Sequence, residues 1–84
     1  MILVHSMAAW KCVVEINDNK AQFAIDAPKP HAMVCTDLEV QRLVRESCYC
    51  QGAVLRYLGM LRWTIAMDDC IVGSVRVCQE NGGD

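Results

Sequence analysis

TDLEVQRLVRESCYCQGAVLRYLGMLR, residues 36–62, is the stretch whose reading decides the fold. Thr36 followed by Glu39 has the form of a capping box, in which the hydroxyl accepts from the N–H three residues on and the carboxylate reaches back. Cys35 and Val40 stand at the hydrophobic-staple positions, and Asp37 and Glu39 complement the positive end of a helix dipole. Projected at about 100° per residue, Val40, Leu43, Val44, Cys48, Val54, Leu55, Leu58, Leu61 and Ile65 fall on one side, with Gln51 and Arg62 as polar intruders. Arg42, Arg45, Glu46, Tyr49, Arg56, Met60 and Trp63 fall on the other. The pattern predicts an amphipathic helical stretch from Asp37 to Arg62. As one straight helix it would be ~39 Å long, more than the ~30 Å diameter of so small a domain. A bend, overhang or break is therefore expected, and Gly52 is the cheapest place for a break.

Upstream, Trp10-Lys11-Cys12-Val13-Val14-Glu15-Ile16 alternates as a half-buried strand does. Asn17-Asp18-Asn19-Lys20 reads as a four-residue loop, and Ala21, Phe23 and Ile25 alternate with Gln22, Ala24 and Asp26 to complete a β-hairpin. Ile2–His5 is a candidate for a further short strand. Pro28 and Pro30 make Ala27–His31 a connector, because each lacks a backbone donor and holds its predecessor extended. Met33–Cys35 reads as a short extended lead-in to the helix. Downstream, Trp63–Met67 suits a strand, Asp68-Asp69 a turn and Ile71–Cys78 a Val- and Ile-rich strand, while Asn81–Asp84 reads as a frayed tail. The expectation is one α+β domain over residues 1–80. Its antiparallel sheet has three or four strands (a β-hairpin, the helix or broken helix, then one or two further strands), with the helix packed on one face.

Composition limits what such a domain does. The 84-residue chain is 54% hydrophobic, which is more apolar surface than so small a core hides easily and points to self-association or a partner. Net charge is −2, which selects no partner class. No apolar run approaches the ~20 residues that span a bilayer, and Met1-Ile2-Leu3-Val4 lacks the features of a secretory signal, so no membrane role and a cytoplasmic location are expected. Six cysteines without that signal read as reduced thiols in small apolar positions.

Four constellations of residues could carry chemistry or contacts. Cys48 and Cys50 with His31 and Cys35 form a possible four-ligand metal set, but the spacing is not that of a zinc knuckle. Cys50, near Arg45 and Arg56 in the chain, is a candidate reactive thiol. Arg42, Arg45 and Arg56 with Tyr49 form an Arg face able to meet phosphates, although Glu39 and Glu46 share it and Arg42 with Glu46 suits an i,i+4 pair. Cys48, Gly52 and Gly59, with Trp63 close by, form a small-residue flank that lets another backbone approach. There is no glycine-rich phosphate loop, no G-x-S-x-G and no H-E-x-x-H.

These readings favour a small non-enzymatic protein-binding module, acting as an adaptor, inhibitor or regulator through protein–protein contacts and as a homodimer, without cofactor or metal. The expected partner surface is Arg42, Arg45, Tyr49, Gly52, Arg56, Gly59 and Trp63. The alternatives are a nucleic-acid-binding regulator using the Arg face and a cysteine-based metal-binding or redox protein.

Overall fold

A computed structural model describes residues 9–28 and 33–80, with the side chains of α1 described from Thr36 onward. The elements run β1 (Trp10–Ile16), β2 (Asn19–Ile25), α1 (Met33–Ser47), β3 (Val54–Gly59), β4 (Arg62–Met67) and β5 (Cys70–Gln79). The five strands form one sheet in the order β2-β1-β5-β4-β3, and every neighbouring pair is antiparallel. This is an α+β fold, but with five strands rather than three or four. The expected strand at Ile2–His5, the His31 end of the proline connector and the Asn81–Asp84 tail lie outside the described residues.

The helix is 15 residues long, well short of the expected stretch from Asp37 to Arg62. It begins at Met33, so Met33–Cys35 is its first turn rather than an extended lead-in, and Thr36 lies inside it, buried, instead of capping it. It stops at Ser47. The Cys48 N–H still bonds to the Val44 carbonyl at 3.1 Å, but Tyr49 then turns left-handed at φ 55°, which ends helical hydrogen bonding. A turn follows in which the Ala53 N–H donates to the Cys50 carbonyl at 3.1 Å while Gly52 supplies φ 83°. Residues 54–67 are then a hairpin, not helix.

The helical phase of Val54, Leu55, Leu58, Leu61 and Ile65 was coincidental. Leu55 and Ile65 face each other across β3 and β4 on the core side, whereas Val54 and Leu58 are exposed. Short apolar runs satisfy both periodicities.

The β1–β2 hairpin turns on two residues, Asn17 (φ 50°) and Asp18 (φ 69°), so the four-residue loop was too long. Asp68 (φ 52°) and Asp69 (φ 66°) join β4 to β5 in the same way. Asn and Asp tolerate this conformation. The third turn, Met60 (φ 56°) and Leu61 (φ 57°), uses residues that do not.

The core lies between α1 and one face of the sheet. Thr36, Val40 and Val44 recur every fourth residue along the buried stripe of α1, with Leu43 beside them. They meet Cys12 and Val14 of β1, Ile25 of β2, Trp63 and Ile65 of β4, and Val75 and Val77 of β5. Trp63 is fully buried, and its indole N–H donates to Asp37 Oδ1 at 2.6 Å, tying β4 to the helix; Gln41 donates to the other oxygen at 2.8 Å. Asp37 is thus an anchor for the core tryptophan rather than a dipole partner.

Gly73 is required where β5 runs beside β1. A Cβ there would overlap the Glu15 carbonyl oxygen and lie 3.0 Å from the Ile16 Cα.

Candidate functional site

The seven residues expected to form the partner surface do not come together. Arg42 is exposed on α1 with Nη1 3.4 Å from Glu46 Oε1, the i,i+4 pair expected. Arg45, one turn on, donates from Nη2 to the Ala53 carbonyl at 3.4 Å. Tyr49 is 88% exposed just past the helix, and Gly52 is in the turn before β3. Arg56 is not on the helix at all: it stands on β3, opposite Thr64, on the sheet face away from α1. Gly59 ends β3 at φ 93°, beside an irregularity in the β3–β4 register. Trp63 is in the core with no surface to offer.

The sequence reading missed the edge of the sheet. β3 ends the strand order and pairs with β4 alone among the described residues, so its outer backbone N–H and C=O groups have no strand partner. Of the large apolar side chains that are exposed, Val54 (63%), Leu58 (56%), Tyr57 and the adjoining Met60 all belong to this strand and its turn. The turn is held from both sides. The Leu61 N–H donates to the Tyr57 hydroxyl at 3.1 Å, and the Val77 N–H donates to the Leu61 carbonyl at 2.9 Å. The Tyr57 ring rests against Trp63 with centroids 5.0 Å apart. An unpaired edge with apolar side chains on both faces is the geometry of strand addition, in which a partner extends the sheet. The available signal was composition: Val54-Leu55-Arg56-Tyr57-Leu58 carries strand formers and lies between two glycines.

Cys12 and Cys50 take small apolar positions in the core, and Cys48 packs against it. Cys50, the candidate reactive thiol, is buried, and its thiol donates to the Cys48 carbonyl at 3.4 Å. A cleft of about 270 Å³ opens between the β1–β2 turn and the chain leaving α1, lined in part by Asn17, Lys20, Cys48 and Cys50. Burial and then the neighbouring Cys50 push the Cys48 thiol pKa up, which lowers its thiolate fraction. Burial, assisted by Cys48, Glu39 and Cys78, pushes Cys12 up to about 12. Among the described residues no three His, Cys, Asp or Glu side chains are grouped to hold a metal ion. His31 and the Cys35 side chain lie outside the described residues, as does any site they would form.

No described helix is long and apolar enough to cross a membrane. No protein-family model, curated protein or solved structure matches the chain.

Proposed function

We propose that the protein is a small non-enzymatic protein-binding module of the cytoplasm that acts through protein–protein contacts as a homodimer, serving as an adaptor, inhibitor or regulator. Its docking element is the outer edge of β3. The single observation that supports this most is the coincidence on one strand of a backbone edge without a strand partner among the described residues and exposed Val54, Tyr57 and Leu58. Two β3 strands running antiparallel about a two-fold axis extend both sheets into one and cover these side chains mutually. Free thiols at Cys12, Cys48, Cys50, Cys70 and Cys78 suit a reducing compartment.

The test is sedimentation velocity at micromolar concentration. The wild-type chain is expected to sediment as a dimer, and Leu58→Lys, which places a charge on the edge, as a folded monomer. A wild-type monomer across the accessible concentration range removes the homodimer from the account.

A further inference from the structure

The chain between α1 and β3 carries two free thiols with one residue between them. Cys48 is the first residue past the helix, and its N–H is still on the Val44 carbonyl. The Cys50 carbonyl accepts from the Ala53 N–H across the Gly52 turn. Both backbones are therefore held in place. Tyr49 between them stands in the left-handed region at φ 55°. A residue of helical conformation, of either hand, holds its two neighbours' Cα atoms ~5.4 Å apart. That separation lies inside the ~4.4–6.8 Å that a disulfide spans.

The side chains agree with the backbone. The Cys50 Sγ lies 3.4 Å from the Cys48 carbonyl oxygen, so this thiol is turned back towards Cys48. Both residues line the same cleft beside the β1–β2 turn. Cys48 is half-buried and Cys50 buried, which leaves Cys48 as the sulfur that a reagent in the cleft meets first. The other described thiols are placed apart from this turn: Cys12 is fully buried on β1, and Cys70 and Cys78 stand on β5.

We propose that Cys48 and Cys50 are a reversible redox pair, closing to a disulfide by exchange with a small-molecule disulfide such as oxidised glutathione. Cys48 loses its proton, and its thiolate attacks one glutathione sulfur; the Cys48–glutathione bond forms and the other glutathione leaves as thiolate. Cys50 then loses its proton and attacks the Cys48 sulfur, expelling the second glutathione. The two released thiolates take up the two protons. The protein has lost two electrons, and one glutathione disulfide has been reduced to two thiols. Excess reduced glutathione runs the exchange backwards. Burial and then Cys50 raise the Cys48 pKa, so the first attack is slow at neutral pH. The closed ring locks the left-handed turn that ends α1 and leads into β3. The inference goes beyond the docking of a protein at the β3 edge and does not rest on it.

The experiment is peptide mapping of the full chain after equilibration with oxidised or reduced glutathione, acid quenching, alkylation with N-ethylmaleimide and trypsin digestion. Cleavage after Arg45 and Arg56 releases residues 46–56, which hold Cys48 and Cys50 and no other cysteine. With oxidised glutathione this peptide is expected to lack two hydrogens and to take no alkyl label. With reduced glutathione in excess it is expected to take two labels. The closed peptide is expected to be lost altogether in Cys50→Ser, where Cys48 keeps its glutathione, and in Cys48→Ser, where the buried Cys50 stays reduced. In urea at the same glutathione ratio, less of the wild-type bond is expected to close, because the turn no longer holds the two Cα atoms together. Four wild-type results overturn the proposal, whether or not the variants fold. They are a peptide that carries glutathione instead of the ring, a Cys48 link to Cys12, full alkylation of the peptide while the exposed Cys70 is glutathionylated, and equal closure with and without urea.

Discussion

The two ends of the sheet are built alike and finished differently. Each is an edge strand in a hairpin that turns on two residues of positive φ. At the β2 end the turn is Asn17-Asp18, and the strand exposes Lys20, Gln22 and Ala24. At the β3 end the turn is Met60-Leu61, and the strand exposes Val54 and Leu58. Asn and Asp enter the left-handed region at little cost, whereas Met and Leu pay roughly 1–2 kcal/mol each. Polar side chains and a lysine discourage edge-to-edge pairing; an apolar edge invites it. On the proposed function, the β2 end closes the sheet and the β3 end is the one that takes a partner.

The largest expected effect is on what lies under each end. Trp63 supports the β3 hairpin by holding Tyr57 above and Asp37 beside it, so Trp63→Ala is expected to cost about 3–5 kcal/mol in urea unfolding. If the loss is below ~1 kcal/mol, the β3 end is not seated on the helix as described.

Under the β2 end the corresponding side chain is Cys12, opposite Phe23. Its folded-state pKa of about 12 lies above that of the unfolded thiol, so the unfolded state gives up its proton first as pH rises. The Cys12 contribution is therefore intact below pH ~8.5 and falls between there and ~12 by up to ~1.4 kcal/mol per pH unit. Cys12→Ala is expected to be less stable at pH 7 but to show a shallower decline from pH 8 to 10 in urea midpoints. An unchanged slope contradicts the burial assigned to this thiol.

The turns offer the third comparison. Replacing Met60-Leu61 by Asn-Gly is expected to raise stability by about 1–2 kcal/mol, because the backbone cost of about 2–4 kcal/mol for the two residues is removed while the packing of Leu61 against the core is lost. The same Asn-Gly replacement at Asn17-Asp18 is expected to change stability by less than about 0.5 kcal/mol. Thermal unfolding of the two variants reads the difference directly. Equal gains at both turns would mean that the β3 turn carries no special strain.

The same contrast explains what was legible in the sequence. β1, β2 and the 68–69 turn followed from alternation and from Asn and Asp at the bends, and β4 from its Trp, Thr and Ile. The helix from Asp37 to Ser47 was visible in its apolar spacing. The Met60-Leu61 turn was not visible, because neither residue signals positive φ; without it, residues 54–61 kept helical phase and the helix ran on to Arg62. That one error carried the site with it. Arg56 was read onto the helix when it belongs to the far face of the sheet, and Trp63 was read as surface when its indole is the centre of the core. Arg42, Arg45 and Tyr49 were correctly read as exposed. That each strand places one cation on the face away from α1 emerges only from the pairing register, which places residues far apart in sequence side by side.

The claim that the β3 edge is where the sheet extends is tested most directly by amide hydrogen exchange as a function of protein concentration. The account predicts that the β3 amides not bonded to β4 become protected as concentration rises, while the outer amides of β2 do not. Protection that is independent of concentration on β3, or that rises on β2 instead, contradicts it.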